Sequence, residues 1–247
     1  MSAPLVAVDL GRRRYGEILQ LMRTLCRDRV AGKLGRDLLL LVEHEPVVTL
    51  GRSTQAASLP FPRGLLEQRG IEVFEVERGG DVTLHAPGQL VGYPILDLTG
   101  WRQDLHWYLR QLEEALIRAL GQLGIPAERN PGKTGVWTRA EGAEKAAKIA
   151  SIGIHVKQWV TMHGFALNVL TDLSLFELIV PCGIPDVVMT SVAAEGRRDR
   201  GAEGSGDRGA AELWGSAREA VIAGFGEVFE REVERAPTAA LGATQPA

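Results

Sequence analysis

The 247-residue sequence is poor in cysteine, with only Cys26 and Cys182. Two thiols so far apart exclude a disulfide framework and a structural zinc site built mainly from cysteine. They are expected to be free thiols in a reducing, cytoplasmic setting. Long hydrophobic runs are absent too. The most apolar stretch, Leu38 to Val42, falls far short of the ~20 residues that cross a bilayer, so no membrane span is expected. Met1 to Leu10 lacks the basic start and apolar run of a signal peptide. Neither sign of charge dominates: 28 Lys and Arg face 31 Asp and Glu, for a net charge of -3. That balance argues against a chain built as a whole for nucleic acid, while leaving room for a local basic patch. The remainder, 45% hydrophobic and 24% charged, is ordinary globular composition. At this length a single core is feasible.

The pattern along the chain mixes both periodicities. Tyr15, Ile18, Leu19, Met22, Leu25 and Cys26 recur at helical spacing, which puts Cys26 on a core stripe. Asp37 to Leu50 reads as two apolar strands interrupted by Glu43-His44-Glu45-Pro46, and Ile71 to Glu77 alternates as a half-buried strand. Val82 to Leu84 and Leu90 to Leu96 read as extended. Asp104 caps a long helix to Leu123, with Leu105, Leu109, Leu112, Leu116 and Leu120 on its stripe and Gly124 and Pro126 as its stop. Thr134 to Thr138, Lys148 to Val156 and Val160 to Val169 read as strands, the last two joined as a hairpin. Glu212 to Glu230 reads as a closing helix. The polar, glycine-rich 196–209 is expected to be a mobile connection, and 237–247 a disordered tail. Hairpin-like strands mixed with helices favour an α+β fold, with 1–236 as one domain.

Three places concentrate chemistry. Arg78-Gly79-Gly80-Asp81-Val82-Thr83-Leu84-His85 follows a strand, and adjacent glycines let backbone approach a ligand closely. The alternative is a glycine-rich hairpin with a satisfied histidine. Cys182 sits between Pro181 and Gly183 in a loop, where nucleophiles are often held, though a lone thiol is more often inert. Lys148 begins an apolar strand. With unbroken alternation it shares a face with Ala150, Ile152, Ile154 and Val156, leaving Ser151, Gly153, His155 and Lys157 opposite. A buried amine gives up its proton more readily and suits a base, whereas an amine at the strand's edge simply snorkels to water. His85, His163 and Cys182 lack the ligand spacing of zinc motifs, so no metal is expected.

These stretches fall in a recognisable order. R-G-G-D-V-T-L-H-A-P-G-Q begins at Arg78, K-I-A-S-I-G-I-H-V at Lys148, W-V-T-M-H-G-F-A-L-N-V at Trp159 and P-C-G-I at Pro181, with E-H-E-P-V-V-T-L-G-R-S upstream from Glu43. Together they resemble the lipoyl(octanoyl) transferase family, from about Leu38 to Ser191. The resemblance implies an α+β domain like the catalytic domains of biotin and lipoate protein ligases, with a mixed, largely antiparallel sheet flanked by helices. It implies transfer of an octanoyl or lipoyl group from acyl carrier protein to a lysine of lipoyl domains. The acceptors implied are the acyltransferase subunits of 2-oxoacid dehydrogenases and the glycine cleavage H protein. No cofactor, nucleic acid or membrane is implied. By motif, Cys182 looks like the acyl-thioester nucleophile and Lys148 like its acid/base partner. Arg78 to His85, Ser151-Ile152-Gly153 and Gly164-Phe165-Ala166 match the family's substrate-binding stretches. The sequence departs from the family pattern at Leu84, usually aromatic, and at Ala86, usually glycine; Leu84 leaves the acyl-pocket shape open. Two other readings share the residues: an ATP-dependent lipoate or biotin ligase of the same fold, and a non-catalytic carrier-protein binder. Acidic carriers call for a basic rim, for which Arg12, Arg13, Arg14, Arg52 and Arg78 are candidates.

Overall fold

A computed structural model describes residues 4–139, 145–200 and 207–244. The elements run β1 (Leu5–Arg13), α1 (Tyr15–Val30), β2 (Asp37–His44), β3 (Val47–Leu50), α2 (Arg63–Gln68), β4 (Glu72–Glu75), β5 (Val82–His85) and β6 (Gln89–Ile95). They continue with α3 (Leu105–Gln122), β7 (Glu128–Asn130), β8 (Lys133–Thr138), β9 (Ala147–Lys157) and β10 (Val160–Asn168). The last are β11 (Val188–Met189), α4 (Val192–Arg200), α5 (Asp207–Val228) and β12 (Val233–Ala236). The larger sheet has the order β12-β1-β2-β6-β10-β9-β8-β7, with β11 added beside β9; the smaller is β4-β3-β5. Most pairings are antiparallel, but β1 runs parallel to both neighbours and β3 runs parallel to β4.

The long leucine run of β2 reflects burial on both faces. Leu39 and Leu41 join one core with Tyr108, Leu112 and Leu116 of α3 and Val221 and Phe225 of α5. Leu38, Leu40 and Val42 face the other side, against Ile18, Leu19, Met22 and Cys26 of α1. Burial pushes the Cys26 thiol up, as its place on a core stripe requires. Two residues after β2 the chain has changed sheets, since β3 pairs only with β4 and β5. The break falls at Glu45 and Pro46, where proline has no amide to continue a ladder. A third core lies under the smaller sheet and includes Val48, Leu66, Val73, Leu84 and Phe176.

Local signals explain the helix and hairpin that frame the site. Asp104 caps α3, its Oδ1 accepting from the His106 and Trp107 amides at 2.9 and 3.0 Å. Gly124 ends the helix at φ 76°, a left-handed position that suits glycine. Leu105, expected on the stripe, is instead 45% exposed, and the buried face begins with Tyr108. The β9–β10 hairpin turns on Gln158 and Trp159, both with positive φ, as a two-residue type I′ connection demands.

Other expectations are modified. β1 escaped the sequence reading because a strand between two parallel neighbours is buried on both faces and does not alternate. The stretch 196–209 is helical at both ends, α4 reaching Arg200 and α5 starting at Asp207; 201–206 lie outside the described residues. The tail is ordered beyond 237: Thr238–Thr244 forms 3₁₀ turns, Thr238 donates to the Asp9 carbonyl, and Leu241 packs against the α1 core. Residues 245–247 lie outside the described residues.

Candidate active site

Cys182 stands on a tight turn between the two sheets. Ile184 N donates to Pro181 O at 3.1 Å, while Cys182 (φ 58°, ψ 20°) and Gly183 (φ 64°) take the left-handed conformations of a type I′ turn. Holding a cysteine there costs about 1–3 kcal/mol, which neighbouring contacts must offset. Gly183 is required twice over, because a Cβ on it would lie 2.3 Å from Asp81 Oδ2. Asp81 is itself fixed: Oδ2 accepts from Ser58 Oγ at 2.6 Å, Oδ1 from Val82 N at 2.7 Å, and its carbonyl from Arg78 Nη1 at 2.8 Å. The thiol remains partly exposed.

Lys148 reaches the thiol through a break in strand register. On β8, Val136 pairs with Ala150 but Trp137 pairs with Lys148, leaving Ile149 as the extra residue of a β-bulge. Ile149 and Ala150 consequently both enter the α3/α5 core. The bulge corrects the face expected from unbroken alternation. Lys148 sides with Ser151, whose Oγ is 3.9 Å from Cys182 Sγ, and away from Ala150. Lys148 is 1% exposed and its Nζ lies 3.2 Å from Cys182 Sγ. No ion pair joins it to a carboxylate among the described residues. Gly135 (φ 123°) makes room for it, since a Cβ there would sit 2.7 Å from Lys148 Cε. Buried Glu113 of α3 accepts the Gly135 amide on Oε1 at 3.1 Å, and its Oε2 takes Arg110 and Arg129.

Cys182 and Lys148 face a cavity of about 370 Å³. Arg78 to Thr83, His85, Ser151 to Gly153 and Gly164 to Ala166 all line it. Leu84 is placed elsewhere: it is fully buried in the core under the smaller sheet, because its neighbours Thr83 and His85 take the opposite face of β5. Sequence reasoning missed Tyr15 and Tyr93, which also line the cavity, and Glu113 and Trp137 behind it. For Glu113 a signal existed, an acid set within the leucine stripe of α3.

The buried histidines of the floor are pushed toward their neutral form. Burial lowers His44 to about 4 and His85 to about 3, with His44 hydrogen-bonded to Tyr93 and His85 to Gln89. Burial also lowers His163, whose Nε2 has no hydrogen-bond partner among the described residues. The His163 ring facing Glu77 at 3.8 Å, together with a two-pronged bond from Arg23, holds the Glu77 carboxyl well below its ordinary range. Arg78 is the buried cation. Its guanidinium donates to the Thr49 carbonyl and hydroxyl and to the Gly79 and Asp81 carbonyls, and this fixes the glycine loop. Two amides of that loop are spent internally: Gly79 N on Ile154 O, Val82 N on Asp81 Oδ1.

The expected basic rim is largely neutralised. Arg12 pairs with Glu45, Arg14 with Glu72, Arg13 turns onto the Arg12 carbonyl, and Arg78 is buried. Arg52 stays exposed beside the glycine loop, its amide donating to the Arg78 carbonyl at 3.0 Å, and exposed Lys133 lines the cavity. The described residues group no three His, Cys, Asp or Glu as a metal site, and no described helix is long and apolar enough to cross a membrane.

Residues 14–207 match the family described as the lipoyl protein ligase A/B catalytic domain. The octanoyltransferase of Solibacter usitatus is 51% identical over 190 residues, covering 77% of this chain and 83% of its own. That of Acidobacterium capsulatum is 49% identical over 195 residues, covering 76% and 79%. The chain belongs to the octanoyltransferase family. Among solved structures, lipoate-protein ligase A bound with ATP has a TM-score of 0.67 at 18% identity, covering 99% of this chain and 92% of that one. The bi-partite lipoate protein ligase of Thermoplasma acidophilum gives 0.66 at 19%, covering 99% and 90%. The octanoyltransferase chain therefore has the lipoate protein ligase fold, and at such identity the likeness extends to the fold alone.

Proposed function

We propose that this octanoyltransferase works through a Cys182 thioester, with Lys148 moving the protons. The family reaction carries octanoyl from acyl carrier protein to lipoyl domains. What supports the assignment of residues is one distance, 3.2 Å from Lys148 Nζ to Cys182 Sγ at the cavity wall.

In the first half-reaction neutral Lys148 takes the Cys182 proton, and the thiolate attacks the carbonyl carbon of the octanoyl thioester. The tetrahedral oxyanion accepts from the Ser151 hydroxyl, 3.9 Å from Cys182 Sγ. Collapse breaks the bond to the carrier sulfur, which receives the proton back from Lys148. In the second half-reaction the acceptor lysine amine attacks acyl-Cys182. Lys148 takes a proton from that amine and gives it to the Cys182 sulfur as the carbon–sulfur bond breaks, leaving an amide and a free thiol. A thioester donor is already activated, so no nucleotide enters. The acceptors are the lipoyl domains of 2-oxoacid dehydrogenase acyltransferase subunits and the glycine cleavage H protein.

Intact-mass measurement after mixing with octanoyl-acyl carrier protein tests this reading. One octanoyl adduct on Cys182 is expected, discharged by an apo lipoyl domain and absent in Cys182→Ala. An adduct that persists in Cys182→Ala overturns it.

A further inference from the structure

We infer that Trp137 is a positioning residue for the acyl transfer: the face of its ring holds the Lys148 ammonium in the place where a carboxylate would ordinarily stand. This rests on the reading of Cys182 and Lys148 given above. Trp137 and Lys148 are cross-strand partners at the bulge, and Lys148 Nζ lies 5.3 Å from the Trp137 ring centroid. At that range the negative face of an indole attracts a cation, most strongly where water is excluded. Here both side chains are 1% exposed. Among the described residues the indole Nε1 has no hydrogen-bond partner, so a tryptophan is not kept here for its N–H.

The surrounding charges leave this work to the ring. Lys133 on β8 places a second ammonium 5.5 Å from the same ring. Glu113 on α3 commits one oxygen to the Gly135 amide and the other to Arg110 and Arg129. Asp81, behind the Cys182 turn, is spent on Ser58 and Val82, and the buried Arg78 adds positive charge on the thiol side. Beyond β11, Glu195 accepts from the Thr190 hydroxyl. A carboxylate against Lys148 would fix the proton on the amine. A π face favours the ammonium while leaving the proton transferable, as two half-reactions require.

The test is the pH dependence of Cys182 alkylation by iodoacetamide in the full chain, read by peptide mass. As pH rises the pair loses one proton to solvent and the remaining one is shared between amine and thiol, so the alkylation midpoint reports how well the ammonium–thiolate form is held. Trp137→Leu should raise the midpoint by about one pH unit and slow acyl-enzyme formation at neutral pH about tenfold. Trp137→Phe, with a weaker face, should fall between. If Trp137→Leu does not fold, a fluorinated tryptophan placed at 137 keeps the shape, weakens the face and should move the midpoint the same way. An unmoved midpoint in folded variants overturns the role of Trp137 even where octanoyl-Cys182 forms normally. Absence of octanoyl-Cys182 in the unaltered protein overturns instead the reading on which it rests.

Discussion

Lys148 Nζ lies 3.2 Å from Cys182 Sγ across 34 residues of sequence. Two devices produce the contact. A bulge in β9 re-aims the lysine, and a left-handed turn presents the thiol. Among the described residues neither the Lys148 amine nor the Cys182 thiol has a closer hydrogen-bond partner, which leaves each able to exchange a proton with the other or with substrate.

Replacing Lys148 with methionine keeps most of the volume and removes the proposed base. Formation of octanoyl-Cys182 should slow 10²- to 10⁴-fold, the usual range for a positioned acid–base group. Because the amine is buried with no carboxylate beside it, Lys148→Met should unfold at the same or higher urea concentration than the unaltered chain. Rapid-quench mass spectrometry and urea titration read the two effects; normal acylation would remove Lys148 from the chemistry.

Ser151→Ala removes the hydroxyl nearest the sulfur. Both half-reactions should fall about 100-fold, the low end for loss of one oxyanion donor, with little change in KM. A rise in KM at constant kcat would mark Ser151 as a binding group only.

Gly183→Ala forces a Cβ against Asp81 Oδ2 at a residue with φ 64°. The left-handed conformation alone costs about 1–2 kcal/mol, and the clash adds to it. Stability should drop by at least that much, and acylation should fall further as Cys182 shifts. Asp81→Ala added to Gly183→Ala should recover part of the stability, measurable as a double-mutant coupling.

His44 and His85 bind protons more weakly folded than unfolded, at about 4 and about 3 against 6.5. Above pH 6.5 both states are neutral at these sites and no effect is expected. As pH falls below 6.5 the unfolded chain takes up protons that the folded chain refuses. Stability should then decline by up to about 1.4 kcal/mol per histidine per pH unit until the folded values are reached. Urea titrations between pH 6.5 and 5 isolate these histidines from the carboxylates. His44→Gln should flatten the decline by about one histidine's share, and an unchanged slope would assign the acid sensitivity elsewhere.

Exposed Lys133 lines the cavity, and exposed Arg52 lies beside its glycine loop, bonded through its amide to the Arg78 carbonyl. With acidic carrier proteins as donors, Lys133→Glu and Arg52→Glu should each raise KM for octanoyl-carrier several-fold at low salt and less at high salt. A salt-independent KM would place carrier docking elsewhere.

Much of the candidate site, as the segments that line one cavity, was legible in sequence because its parts are local. Glycines after a strand, a proline–cysteine–glycine turn and a hairpin with a two-residue connection each declare themselves within a few residues. Asp104 and Gly124 bounded α3 for the same reason. Elements covered on two sides were harder. β1 does not alternate because both of its faces are buried, and the leucines of β2 divide between two cores that no local pattern distinguishes.

By itself the sequence determined which residue types could do acyl chemistry, and it separated the two cysteines, one on a helical core stripe and one in a loop. Only the tertiary structure decided which side of β9 carries Lys148, since the bulge arises from pairing with β8 and a one-residue shift reverses every side chain beyond it. The same holds for Leu84, turned into a core by the smaller sheet, and for Trp137, whose partner is set across strands. Spacing along a chain fixes faces only while register is unbroken; where strands slip, the neighbour decides.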